Sequence, residues 1–472
     1  MPTALPADPA LWPAVDQAAA IAARRLSSRE LLAAVTARID AHNPALNAVV
    51  TLDADRAAAG AAAADEATAH GQSFGPLHGL PMTMKDALAV AGLRSTGGAV
   101  ELRDHVPDTD ADVVARVRAA GANVFAKTNV PRWSGDLQTF NEVFGTTNNP
   151  WDPTRVPGGS SGGAATAVAT GMTSVEVGTD IGGSVRVPAA YCGIAGHKPS
   201  YGLVPCGGYL DGVEGGLTEP DVNVHGPLAR SVADLELLLG ILAGPRPDRA
   251  GAWSVSLPAP RHDRIDRYRV AVWATDPGCP VSAATEGAVR AAGDTLRGLG
   301  ARVDDAARPP IDADGAARLG LGLVGAAVTP SMTDEQAERV AASGGALSHR
   351  DWLAMDRARA RIRAAWAEFF TGVDVLVCPV IARPPFPHTQ DGSFATRTVD
   401  VDGVSRPYAD LIWWTILIGM AYLPATSIPV GWTPEGLPVA VQVVAPYLED
   451  RSALAVAATL LDASGGLTLP VS

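Results

Sequence analysis

Two serine-bearing, glycine-rich runs constrain this chain most: RVPGGSSGG from Arg155 to Gly163 and GTDIGGSVR from Gly178 to Arg186. Between them lies AATAVATGM, again almost free of bulky side chains. Glycine permits tight turns and close approach of backbones, and close-packed interiors reward such approach. The segment therefore reads as a buried, small-residue helix entered through glycines. It is followed by the strand TSVEVGTD, a tight turn, and a second short helix in GGSVRVPAAYCG.

The flanking sequence supplies an α/β frame. Two helices are expected between residues 9 and 42. The second opens at a serine cap with Glu30 soon after and stops before Pro44. An alanine-rich helix fills 54–70, and a short strand at Met82–Met84 ends at Lys85. A helix at 110–120 and a strand ending at Lys127 and Thr128 give helix-then-strand order, which points to an α/β core. From Pro245 to Arg264 the sequence reads as a surface excursion, and 282–370 as mostly helical. VDVLVCPV, LPATSIPVG and LPVAVQVVAP read as strands, and DRSALAVAATLLDA as a closing helix. This gives one compact domain in four stretches. They are an N-terminal helical region (1–70), a catalytic core (71–245), a helical cap or channel region (246–370), and closing strands and helix (371–472).

Several functions are disfavoured. The formal charge of −13, without a long basic tract, repels nucleic-acid backbones. No run of about 18 apolar residues marks a membrane span, and the N-terminus lacks the basic lead of a signal peptide. Cys192, Cys206, Cys279 and Cys378 form no CxxC pair and read as free thiols of a cytoplasmic protein. No HExxH or clustered histidine suggests a metal, and no cofactor is expected. The Walker pattern is absent. Gly158, Ser160 and Gly162 match G-x-S-x-G, but the preceding NNPWDPTRVP is not the strand that a nucleophile elbow needs.

A chemistry that does fit needs a lysine. Among 37 basic residues only Lys85, Lys127 and Lys198 are lysine. An arginine cannot give up its proton, whereas a desolvated lysine can. A neutral lysine can serve as general base for a serine if backbone N–H groups face the developing oxyanion. The turn DIGGS offers such a row of donors and ends on Ser184, while Ser160 and Ser161 are candidate relays.

The chain resembles the amidase signature family. The resemblance is carried by Gly158 to Pro199 with its spacing intact, by GLPMTMKD around Lys85, by AKTNVP and FGTTNNPWDP, and by HGPLARSVADL and GLPVAVQVVAP. It implies a central mixed, largely parallel β-sheet sandwiched between helices. It also implies an amidase using a Ser-Ser-Lys triad, with Ser184 as nucleophile, Ser160 as bridging serine and Lys85 as base. The peptide bond before Ser160 is of unusual orientation in the family. Backbone N–H groups of Ile181, Gly182, Gly183 and Ser184 are the implied oxyanion hole, and Ser161, Asp180 and Arg186 the supports.

Departures from the family pattern are His197, Ser200, Ala440 and Ala445, and the absence of the usual acidic residue in PRWSGDLQ. There Trp133 follows Arg132. Trp133, Trp413 and Trp414 are candidate pocket residues that favour an aryl or apolar substrate; the plain alternative is core tryptophan. The implied substrate is a small or aryl amide. Aryl ester or carbamate hydrolysis at the same centre is an alternative, as is an amidotransferase-type subunit that depends on partners. Either a monomer or a homodimer is compatible with the sequence.

Overall fold

The helix Ser28–Leu46 opens on a capping box in which Ser27 and Glu30 satisfy each other's backbone N–H groups. It does not stop before Pro44 but runs on to Leu46. So close to the helix end, the proline removes a single backbone bond. The exit is secured by the Asn43 side chain, which accepts from the N–H groups of Ala48 and Val49 at 2.8 Å. The alanine-rich helix forms over Ala54–Ala69. The structure, a computed structural model, describes residues 5–470 apart from 214, 330, 331, 333, 334, 336, 337 and 339–346.

Two sheets carry the core. The smaller places Asn123–Thr128 between Val49–Leu52 and Pro81–Lys85. Pro81–Lys85 runs parallel to Asn123–Thr128 and sets Lys85 opposite Thr128. The larger sheet has eight strands in the order Arg302–Asp304, Arg269–Val272, Val375–Pro379, Pro438–Val444, Ala425–Trp432, Ala195–Lys198, Val224–Ala229 and Val175–Asp180. Helices flank it, so the mixed α/β architecture is as expected. Its parallel share is smaller than expected: two pairings are parallel, both at the Arg302–Asp304 end, and five are antiparallel. At that end the helix Ala283–Gly298 connects Arg269–Val272 to Arg302–Asp304, the kind of crossover that parallel strands need. Residues 246–370 thus contribute two strands to the large sheet, besides the helices Ala283–Gly298, Ala313–Ala327 and His349–Gly372.

The two sheets meet where Pro81–Lys85 lies beside Val175–Asp180. Side chains bridge this seam: Thr83 donates to Glu176, and Lys85 to Thr179. Behind it the helix Gly162–Ala169 is buried along its whole length. A Cβ at Gly163 would press on the Asn129 backbone and sit 2.9 Å from the Ala48 carbonyl oxygen. The small-residue run is therefore a packing requirement, as its composition indicated.

Candidate active site

Lys85 ends its strand fully buried, and its Nζ donates to Ser160 Oγ and to Thr179 Oγ1, each at 2.7 Å. Burial pushes the amine down to about 7, against the opposing charges of Asp180 and Glu176. A lysine in that range holds a substantial neutral fraction near neutrality, and its hydroxyl contacts give a proton somewhere to go.

Ser160 follows a cis peptide bond from Gly159. Next to it, the Ser161 N–H donates to the Ser184 carbonyl oxygen at 3.3 Å, and Ser161 Oγ accepts from the Thr179 N–H at 3.4 Å. The loop with Ser160 and Ser161 is thereby fastened both to the strand that partners Lys85 and to the turn that carries Ser184. Ser184 is 6 % exposed, the most open of the three triad candidates.

The turn before Ser184 is organised by Asp180. Its carboxylate accepts from the N–H groups of Gly183 (2.8 Å), Val185 (3.2 Å) and Arg186 (3.3 Å). The Arg186 guanidinium closes on it in a fork at 2.8 and 3.0 Å, with both side chains fully buried. Burial opposes the Asp180 charge, but Arg186 outweighs it and holds the carboxyl down to about 2. The Gly183 N–H, one of the four implied oxyanion donors, is thus engaged by Asp180. Gly183 itself has φ +118°, and a Cβ there would lie 2.8 Å from Thr415 Oγ1. Only glycine suits that position.

Thr415 and Thr179 were not singled out in the sequence. Thr415 Oγ1 donates to the Gly182 carbonyl at 2.7 Å, and its own carbonyl accepts from Arg186 at 3.1 Å. Arg186 also donates to Gln442 Oε1 at 3.1 Å. The turn is therefore braced by residues more than 200 positions downstream, where no local pattern marks them. Thr179 did have a local signal, since it immediately precedes Asp180 in the glycine-rich run.

The tryptophans separate into two environments. Trp414 is fully buried and Trp413 nearly so, and both pack edge-on to Trp273 with ring centroids 5.2 and 6.4 Å away. They belong to the apolar mass behind the turn. Trp133 packs with Ala99 and Leu102. Its neighbour Ser134 faces the Tyr209 phenol, which also faces Thr179. Trp133 thus lies on the flank of the lysine site, whereas Trp413 and Trp414 lie beneath it.

The other two lysines are also fully buried. Lys127 donates to Ser95 Oγ at 3.0 Å and to the Leu88 carbonyl. Lys198 donates to the Pro199 carbonyl at 2.8 Å. The departures at His197 and Ser200 converge on one group. His197 Nε2 lies 3.1 Å from Asp450 Oδ1, and Ser200 Oγ donates to Asp450 Oδ2 at 2.7 Å. Among the described residues no cluster of His, Cys, Asp and Glu is arranged to hold a metal, and no helix is long and apolar enough to cross a membrane.

The amidase family model matches residues 30–314 and 316–454. The chain is 34 % identical to the amidase-like subunit of a glutamyl-tRNA(Gln) amidotransferase from Anaeromyxobacter sp. (strain K), over 96 % of both chains. It is 32 % identical to an acylamidase of Rhodococcus erythropolis, over 94 % of both. A crystal structure of an amidase superposes with a TM-score of 0.80 at 29 % identity, covering 96 % of this chain and 99 % of that one. A family match of this extent, joined to the Lys85 geometry, makes the chain a member of the amidase signature family and an amide-hydrolysing enzyme.

Proposed function

We propose that the enzyme cleaves the C–N bond of a small or aryl carboxamide through an acyl-enzyme on Ser184, with Ser160 and Lys85 as the proton relay. The observation that carries this reading is the 2.7 Å contact between the buried Lys85 amine and Ser160 Oγ. Neutral Lys85 takes a proton from Ser160 as Ser160 takes one from Ser184, and Ser184 Oγ attacks the carbonyl carbon. With the Gly183 N–H committed to Asp180, the N–H groups of Ile181, Gly182 and Ser184 receive the oxyanion. The proton returns through Ser160 to the departing nitrogen, because an amide nitrogen leaves only once protonated. Water then repeats the relay and frees the acid. Trp133, on the flank of the site, favours an aryl group there.

A hydrolysis panel tests the reading: aliphatic amides, anilides, aryl carbamates and aryl esters, with Ser184→Ala as blank. Anilide turnover by the wild type alone, and fluorophosphonate labelling at Ser184, are the expected results. Labelling elsewhere would remove Ser184 from its role.

A second reading is favoured by one finding, the likeness to glutamyl-tRNA(Gln) amidotransferase subunits. In it, the same centre releases ammonia within a complex. The purified chain would then hydrolyse none of the panel, and turnover would depend on added partner chains.

A further inference from the structure

Glu176 is a fully buried carboxyl that the relay above does not use. It sits on Val175–Asp180 and reaches into the seam between the two sheets. Each of its oxygens is held by a hydroxyl: Thr83 donates to Oε2, and Thr128 donates to Oε1 at 2.5 Å. Thr83 precedes Lys85 by two residues on one strand. Thr128 follows Lys127 on the next strand and lies opposite Lys85. The carboxyl is thus pinned between the strands that carry two buried amines, and its charge acts on both, favouring their protonated forms.

Other groups also face Lys85. Asp180, on the same strand as Glu176, is committed to Arg186, and Lys198 adds to the positive charge around it. His225, opposite Thr179 on the neighbouring strand, is pushed down to about 3 by burial and then by Lys85, so it is neutral near pH 7. The Tyr209 phenol faces Thr179 and is kept protonated by burial. Asp86 lies on the far side, tied to Thr96 and charge-coupled to Lys127. Asp180 and His225 hold fixed charge around neutrality, but Glu176 does not: burial pushes it up to about 7, into the range of Lys85 itself.

We propose that Glu176 is a positioning residue that acts through Lys85: clamped by Thr83 and Thr128, its carboxyl titrates as a linked pair with the amine and sets the pH at which that amine becomes a base. Linked groups lose their protons in steps that belong to the pair. The kinetic consequence rests on the hydrolase reading given above; the titration itself does not.

The chain's three lysines make the test direct. Lysine labelled with ¹³C at Cε gives three signals, assigned by single Lys→Met variants and followed from pH 5 to 10. In the wild type the Lys85 signal titrates in two steps. In Glu176→Gln it titrates in one, with a midpoint lower by about one unit, the effect of losing one nearby opposite charge. The acid limb of kcat/KM for an anilide moves down with it. An unmoved Lys85 midpoint in folded Glu176→Gln overturns the proposal, including where kcat falls equally at every pH. If Glu176→Gln does not fold, Thr128→Val serves. It removes one donor to the carboxylate and lowers the Lys85 midpoint by a smaller step, and no movement there overturns the proposal equally. A shifted Lys85 signal in a protein that hydrolyses nothing upholds the linkage and counts against the hydrolase reading instead.

Discussion

Lys85 and Lys198 occupy two buried sites with nearly the same electrostatic outcome and different surroundings. Burial pushes each amine down to about 7. Lys85 donates to two hydroxyls, Ser160 and Thr179, and one of them leads on to the loop beside Ser184. Lys198 donates to the carbonyl of its own neighbour, Pro199, beneath the Asp180–Arg186 pair. A carbonyl cannot pass on a proton, and a hydroxyl can. The pair teaches that a weakened ammonium does not by itself make a base; the atom it touches decides.

The sharpest test of that contrast exchanges each amine for a methyl group. Lys85→Ala is expected to lower kcat/KM for a cleavable anilide at least about a thousandfold, the upper range for a lost general base. Its thermal unfolding midpoint stays near that of wild type. Lys198→Ala is expected to keep turnover within about tenfold. Equal, severe losses in two folded variants would break the distinction.

Next in size is Arg186→Met. It strands the Asp180 carboxylate without its partner in a site where both side chains are wholly enclosed. The expected loss is about 3–5 kcal/mol in urea unfolding, the cost of breaking one side of a buried pair. A loss below about 1 kcal/mol would show that the Gly183, Val185 and Arg186 N–H groups hold Asp180 unaided.

Proton dependence sharpens the comparison further. If neutral Lys85 is the base, log kcat/KM rises with pH to a plateau with a midpoint near 7. A flat profile from pH 5 to 9 would remove Lys85 from that role. Asp180 behaves oppositely in stability. Its folded pKa lies below the unfolded one, so its contribution is present above the ordinary carboxylate range and is lost as pH falls towards about 2.

The smallest effect belongs to Lys198→Met. Between about pH 7 and the ordinary lysine range the unfolded chain binds a proton that folded Lys198 does not, so wild-type stability rises with pH there. Methionine abolishes that slope. The variant's stability relative to wild type is therefore greatest below pH 7 and declines as pH rises, as read from chemical denaturation at pH 6 and pH 9. A difference independent of pH would mean that folded Lys198 is an ordinary ammonium.

Much of this site was readable because its residues are local. Ser160, Ser161, Asp180, Ser184 and Arg186 lie in two short runs, and glycine there answers to a backbone need that Gly183 displays directly. Lys85 was legible through the rarity of lysine in this chain. Thr415 and Gln442 were not legible, since they reach the turn from distant sequence and look like ordinary helix and strand positions. The tryptophan pair 413–414 was ambiguous for a related reason. Bulk and aromaticity are the same whether a ring lines a cleft or fills a core, and only three-dimensional neighbours such as Trp273 decide. Strand direction was the weakest inference, because hydrophobic runs mark a buried strand without saying which way its partner runs.

The join between the two sheets has a mechanical consequence. Lys85 belongs to one sheet and the Ser184 turn grows from the other, and threonine, glutamate and lysine side chains fasten the two together. A small slip along that join would disconnect the amine while every strand kept its own ladder. Mild denaturant would then silence the enzyme well before its circular dichroism changed.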